Sequence, residues 1–241
     1  MIAGPAGVET APGFAELGFL AFTTTRQFGN LGLGTDDPVR DVMSRWRGVT
    51  DHLRAIGITR MATAGQVHGA RVLVHQPGWE GWLRAEAADG HATPADVATA
   101  LAVTVADCVP VFIAHPSGAA AVLHSGWRGT EARIVDAGID AMESMGCSAS
   151  ELTLHCGPAI CGRCYEVSPD VYRRLTGHAA ETPAPVDLRT LIAARAAARG
   201  VRAISVSDRC TRCDNMRFFS HRAGDAGRQI SLIAFAAGAS A

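Results

Sequence analysis

The sequence predicts a single mixed α/β domain. Three observations carry that reading: short β-rich apolar runs alternate with stretches of helical periodicity, no internal repeat or low-complexity linker divides the chain, and 241 residues, 48% of them hydrophobic, suffice to close one sizeable core. The formal net charge is −1 and no run of basic residues occurs, so nothing offers the electrostatic footprint of a DNA or RNA binder. All 22 basic residues are Arg, a bias without functional weight.

The elements follow in order. Residues 1–13 read as a flexible N-terminus with neither the positive start nor the apolar stretch of a signal peptide, and no later run is long enough for a membrane helix. The expected location is the cytoplasm, where the seven cysteines would be thiols, metal ligands or catalytic groups rather than disulfides. Leu17 to Thr25 reads as a strand running into the glycine-rich loop F-G-N-L-G-L-G-T-D-D, and the pattern after Pro38 as a surface helix ending near Gly57. Arg71 to His75 and Thr99 to Ala106 read as strands separated by a long Gly/Pro/Asp-marked connection. Val109 to Ala114 and Ala119 to Leu123 form a hairpin around H-P-S-G. A helix then spans Thr130 to Met145 with Ile134, Ala137, Ala141 and Met145 inward and Gly146 as its stop. Leu152 to Cys156 is a short strand, a short helix begins near Ser168, and Asp187 caps a helix through Arg199 with Leu188, Leu191 and Ile192 inward. Val201 to Val206, Met216 to Ser220 and Ile230 to Phe235 complete the strands.

Three segments join a potential metal ligand to turn residues at a strand end: Q-V-H-G at Gln66 to Gly69, V-A-D-C-V-P at Val105 to Pro110, and L-H-S-G-W-R-G-T at Leu123 to Thr130. Two imidazoles and a thiolate, His68, Cys108 and His124, make a good zinc set and leave one position open, as in catalytic zinc sites. Gly126 and Gly129 flank Trp127 and Arg128 before a helix, so backbone N–H groups and a guanidinium could face an anion such as phosphate. Two C-x-x-C pairs, Cys161 with Cys164 and Cys210 with Cys213, have zinc-finger spacing. The helix and strand between them exceed a zinc ribbon's connection, which argues against a shared four-thiolate site.

Together Q-V-H-G-A-R-V, D-G-H-A-T, T-V-A-D-C-V-P-V, H-S-G-W-R-G-T, G-P-A-I-C-G-R-C-Y-E-V, R-C-T-R-C, F-F-S-H-R and G-R-Q resemble, in sequence and order, the YfiH or laccase-domain family. That family is also called multicopper polyphenol oxidase-like and peptidoglycan editing factor, and the resemblance runs from about Phe22 to Phe235. It implies one α/β domain with a layered mixed sheet and flanking helices, and zinc on His68, Cys108 and His124. The activity it implies is phosphorolysis of purine nucleosides (adenosine, inosine, guanosine, methylthioadenosine), with adenosine deamination beside it. Purine nucleosides and phosphate are then the small-molecule partners, whether the chain is a monomer or a dimer. Asp107 is the acid/base candidate or a ligand-positioning residue, Arg128 the phosphate contact, and Asn30 and Asp89 the substrate-positioning candidates. C-G-R-C replaces the family's more common G-P-C-C.

Rival readings are a copper-dependent polyphenol oxidase, a peptidoglycan-precursor amidohydrolase using the metal or Cys108 as nucleophile, and a non-catalytic zinc module. The nine histidines include no H-x-H pair of the multicopper type. Copper could still occupy a His/His/Cys site as an alternative to zinc, because it binds such donors more tightly.

Overall fold

The computed structural model describes residues 6–236. In chain order the strands are β1 (Val8–Thr10), β2 (Phe19–Thr24), β3 (Arg60–Ala64), β4 (Val72–Val74), β5 (Gly81–Ala85), β6 (Gly90–Thr93), β7 (Thr99–Val105), β8 (Val109–Ala114), β9 (Ala120–Ser125), β10 (Thr153–Cys156), β11 (Glu166–Val167), β12 (Ala184–Pro185), β13 (Ala203–Val206) and β14 (Gln229–Phe235). The helices are α1 (Val39–Ala55), α2 (Trp127–Glu131), α3 (Ile134–Ser144), α4 (Pro169–Thr176) and α5 (Leu188–Ala198). One six-stranded sheet has the order β1-β2-β14-β7-β3-β5, the other β13-β10-β8-β9-β6-β4, and β11 and β12 form a small separate ribbon. Both large sheets are mixed: β3 runs parallel to β5 and β7, and β10 to β13, while the β8–β9 and β2–β14 pairs are antiparallel.

Period-two alternation explains how the layers assemble, because successive side chains leave a strand on opposite faces. Phe19, Ala21, Leu101, Val103, Phe112, Ala114, Ala120 and Val122 pack between the two sheets. The alternate residues Leu20, Phe22, Ala100 and Ala102 meet Val42, Trp46, Val49 and Leu53 of α1. On the other side Val111, Ile113, Ala121 and Leu123 meet Ile134 and Ile139 of α3 and Leu188 and Ile192 of α5. The result is a helix–sheet–sheet–helix stack in which the central strands are buried on both faces, so their sequences read as continuous apolar runs. No helix among the described residues is long and apolar enough to cross a membrane.

Several elements depart from the sequence reading. Val8–Thr10 is paired antiparallel with β2 instead of forming part of a flexible arm, whereas residues 1–5 lie outside the described ones. The long connection between the strands at Val72–Val74 and Thr99–Val105 contains β5 and β6. β5 is a half-exposed edge strand whose hydrophobic signal is weak, and β6 is the D-G-H-A-T segment, in which glycine and polar residues hide a fully buried strand. Glycine is required there: a Cβ on Gly90 would lie 2.8 Å from both Leu123 Cδ2 and Val72 Cγ2.

The helix read over Thr130 to Met145 is two helices, broken at Arg133, which takes a left-handed φ of 64°. Within α3 the buried stripe is Ile134, Val135, Gly138, Ile139 and Met142, while Ala137, Ala141 and Met145, expected inward, are only half-buried. Met216 to Ser220 forms turns instead of a strand, with the backbone N–H groups of Arg217 and Phe218 on Asp214 O, and Met216 is 92% exposed. The Gln229 amide supplies the missing partner, accepting from Phe219 N–H (2.8 Å) and donating to Phe219 O (3.0 Å).

His155 on β10 is buried against Phe112 and shares a 2.8 Å hydrogen bond with Ser205 Oγ. Burial pushes its imidazole down to about 4 from an ordinary 6.5. As pH falls, the unfolded chain therefore takes up this proton first. The stability His155 supports is complete above about pH 6.5 and declines by about 1.4 kcal/mol per pH unit towards pH 4. In denaturant titrations between pH 7 and 4.5, a His155→Asn protein, which cannot titrate there, should lose stability with pH less steeply than the wild type. Parallel slopes would contradict this account.

Candidate metal centre and its cavity

Three strand ends bring the ligand candidates together. Asp107 and Cys108 lie in the short crossing from β7 of one sheet to β8 of the other. His124 lies near the end of β9, opposite Pro110 in the β8 register. His68 follows β3 in a turn where it takes a left-handed φ of 60°. Ligand atoms of His68, Cys108 and His124 all lie within 4.8 Å of one another. Ordinary Zn–N and Zn–S bond lengths of about 2.0–2.3 Å require only a small contraction of such a set.

One carboxylate holds this arrangement. Asp89 is fully buried and accepts backbone N–H groups from Val67 (3.2 Å), His68 (2.9 Å) and Gly69 (2.7 Å), fixing the unusual turn that presents His68. It also engages His124 Nδ1 at 2.9 Å, which leaves Nε2 as the nitrogen for a metal. Burial alone would raise the Asp89 pKa, but the His124 hydrogen bond and those from Gly69 and Val67 bring it below the ordinary value.

Burial would likewise raise the Cys108 thiol, yet the neighbouring His124 charge and hydrogen bonds from His124 and His68 pull it down to about 6. His124 responds in the opposite sense. Burial opposes its charge, but the Cys108 thiolate and Asp89 raise it to about 9. The pocket thus already favours the thiolate, the form in which cysteine binds a metal cation, and a metal would take the place of the proton that His124 Nε2 holds. Gly126 completes the fit: a Cβ there would stand 2.9 Å from Cys108 Sγ and 3.2 Å from His68 Cδ2.

The three candidates open onto a cavity of about 410 Å³ whose lining also includes Gly32 to Thr35, Arg84, His221 and Arg228. Among the described residues neither Arg84 nor Arg228 has a carboxylate partner, although Arg228 Nη1 donates to the carbonyls of Ala226 (2.8 Å) and Gly227 (2.8 Å); the two cations share the wall with apolar Leu33, Trp46 and Ala102. Sequence reading assigned no role to these arginines or to His221. The signal was present, since His221 lies in F-F-S-H-R and Arg228 in G-R-Q, but nothing in either motif shows that it faces Cys108.

The remaining site expectations are redistributed. Asp89 positions His68 and His124 and does not line the cavity, contrary to its reading as a substrate contact. Asn30 also acts behind the wall: its Oδ1 accepts from Gly32 N–H (2.8 Å) and Arg228 N–H (2.9 Å), and its Nδ2 donates to Thr35 Oγ1 (2.7 Å). Asp107 has a left-handed φ of 83°, and its carboxylate accepts from Thr211 Oγ1 (2.6 Å) and Arg222 N–H (2.6 Å). Each of its oxygens thus accepts one hydrogen bond, and Asp107 stands beside Cys108 outside the cavity lining. Arg128 is exposed, lies 4.4 Å over the Trp127 ring and is absent from the cavity lining, where it was expected to meet phosphate. The glycines of H-S-G-W-R-G allow close packing: Gly126 abuts the ligands, and a Cβ on Gly129 would stand 3.0 Å from Gly69 O.

The two C-x-x-C pairs also meet, their four sulfurs within 4.8 Å of one another, which overturns the argument from spacing. β10 and β13 are parallel neighbours, pairing Cys156 with Val206. A parallel pair needs a long crossover, here carrying α4 and α5, yet the loops leaving the same ends of both strands emerge side by side. Distance in sequence was the wrong measure.

The fold and site define an α/β protein built on two stacked mixed sheets, with a candidate metal-ligand set of two imidazoles and a thiol where they meet. Residues 22–236 match the family described as multi-copper polyphenol oxidoreductase laccase, and the chain belongs to that family. It is 37% identical over 233 residues to a purine nucleoside phosphorylase of Mycobacterium bovis, covering 88% of this chain and 90% of that one. A purine nucleoside phosphorylase of Streptomyces griseus is 34% identical over 220 residues, covering 86% and 87%. The adenosine deaminase RL5 of an unknown prokaryote is 35% identical over 136 residues, covering 51% and 52%. YlmD from Geobacillus stearothermophilus superposes with a TM-score of 0.87 at 29% identity, covering 97% of this chain and 98% of that one. YfiH from Bacillus licheniformis superposes with a TM-score of 0.83 at 25% identity, covering 96% and 97%.

Two substitutions test the centre. Gly126→Ala should cost most of the metal bound at His68, Cys108 and His124, read by metal analysis, because the added methyl displaces two ligands. Asp89→Asn should weaken zinc affinity by about 10–100-fold in competition with a chromogenic chelator. Wild-type affinity in both variants would show that the centre does not depend on this packing and hydrogen bonding.

Proposed function

We propose that this protein is a zinc-dependent purine nucleoside phosphorylase, acting on adenosine, inosine, guanosine and methylthioadenosine, with adenosine deamination as a second activity. The observation that carries the proposal is the convergence of two imidazoles and a thiolate on a cavity whose wall also presents Arg84 and Arg228. The names of the relatives point the same way. At about 410 Å³, the cavity is within the roughly 300–1,000 Å³ of small-molecule sites. A cytoplasmic setting suits seven cysteines that are all free.

Phosphorolysis breaks the C1′–N9 bond, joins a phosphate oxygen to C1′ and leaves the departing purine nitrogen to acquire a proton. Positive charge develops on the ribose, so the anionic nucleophile must be held close and correctly oriented. Arg84, and Arg228 through the nitrogens its own loop's carbonyls leave free, would hold the phosphate. Asn30 supports this wall through the backbone of Arg228 and the Gly32–Thr35 turn. His221 lines the same cavity and is placed to give or take the proton at the purine. His68, Cys108 and His124 would hold the zinc, which would supply Lewis-acid chemistry when bound. Deamination exchanges the C6 amine for a water oxygen and releases ammonia, again with a proton to be moved. Asp89 and Asp107 act through the side chains and loops that they fix.

Purified protein should release base from these nucleosides only when phosphate is present, and ribose 1-phosphate should form in equal amount. Cys108→Ala should abolish turnover. Arg84→Ala and Arg228→Ala should each raise the phosphate KM by about tenfold or more, the loss of one charge-assisted contact of about 1.5–3 kcal/mol. Arg128→Ala should leave that KM near the wild-type value. Absence of phosphate-dependent release from zinc-loaded protein would overturn the proposal.

A further inference from the structure

Outside the cavity, the densest cluster of metal-ligating side chains is Cys161, Cys164, Cys210 and Cys213. We propose that these four cysteines form a second, structural zinc site that clips together the loops following β10 and β13. This inference is independent of the proposed activity.

Four thiolates at about 2.3 Å from one zinc lie about 3.8 Å apart in a regular tetrahedron. The sulfurs here are all within 4.8 Å of one another, with Cys164 and Cys213 at 3.4 Å. That separation is far beyond the roughly 2.05 Å of a disulfide, and all four cysteines are free. Each C-x-x-C is already wound into a compact turn. Cys164 N–H donates to Cys161 O (2.9 Å), and Cys213 N–H points at Cys210 Sγ (3.4 Å). Cys161 N–H reaches across to the same sulfur at 3.2 Å. Backbone N–H groups aimed at sulfur stabilise a thiolate, and two of them converge on the buried Cys210.

The surrounding backbone fixes the two turns side by side. Ala159 and Cys210 form a parallel bridge, and Thr211 N–H donates to Ala159 O (3.2 Å). Arg189 of α5 donates to Ser207 O (2.8 Å) and Arg209 O (2.9 Å), and its partner Asp187 accepts Gly162 N–H (3.2 Å). Four soft donors held in this way match a closed Cys₄ zinc site, with no position left for substrate.

Its role follows from what the clipped loops touch. Ile160 N–H, next to Cys161, donates to Asp107 O (3.1 Å), and the hydroxyl of Thr211, next to Cys210, donates to Asp107 Oδ1 (2.6 Å). Asp107 precedes Cys108, so the thiolate cluster braces the corner from which the other centre takes its sulfur. A metal closing a loop of some 49 residues also removes entropy from the unfolded chain.

The test is zinc stoichiometry of protein purified under reducing conditions. Wild type should hold two zinc per chain, and Cys164→Ser/Cys213→Ser one. Cobalt substitution gives a second readout: intense thiolate-to-cobalt absorption should persist in Cys108→Ala and fall, in the double serine variant, to the weaker single-thiolate band of the Cys108 centre. In the Cys108→Ala background, chelation should lower Tm, as expected for removal of a structural metal. One zinc per chain in the wild type together with a cobalt spectrum abolished by Cys108→Ala would overturn the proposal, as would a disulfide linking Cys164 and Cys213 in the reduced protein. The wild-type and Cys108→Ala measurements decide the question even if the double variant fails to fold.

Discussion

A buried carboxylate organises the site. Asp89 has no exposure to water, and without partners its charge would be costly to bury. Three backbone N–H groups and the His124 ring satisfy it, and the same bonds tie the Q-V-H-G turn to the end of β9. His68 can therefore occupy a left-handed conformation that it would not choose alone. The electrostatic consequence continues to the sulfur, because a His124 kept cationic by Asp89 and Cys108 also keeps Cys108 ionised.

The two stacked sheets make that interaction possible. The chain crosses from one sheet to the other between β7 and β8, and a crossing so short must turn sharply. Asp107 makes the turn in a left-handed conformation and is held there by Thr211 and Arg222. Cys108 consequently lies at the seam between the sheets, with β9 beside it and the turn after β3 opposite. The cavity spreads from that seam over β3, β5 and β7 beside Trp46 of α1, and its wall also takes in the Gly32–Thr35 turn and Arg228.

Much of the fold was legible because the central strands and capped helices carry strong local signals. Val109–Ala114 was read without error, and Ser168 and Asp187 cap their helices as their residue types suggest, accepting from Val171 N–H and Arg189 N–H. Edge and glycine-containing strands were not legible, since β5 is half-exposed and β6 carries no β-branched run before Thr93. The broken helix was also hidden, because nothing in the residue type of Arg133 announces a left-handed φ.

The sequence by itself determined the family, the mixed α/β class and the identity of His68, Cys108 and His124 as candidate ligands, because donor chemistry and motif order are written in residue types. Tertiary structure decided which polar residues reach the cavity and which stand behind it. Asn30, Asp89 and Asp107 spend their hydrogen bonds on backbone and on other side chains, while Arg84, His221 and Arg228 line the cavity, Arg228 with one nitrogen held by the carbonyls of its own loop. It also decided that four cysteines from distant segments meet. Parallel strands β10 and β13 place their following loops at one end whatever the length of chain between them, a relation that spacing along the sequence cannot express.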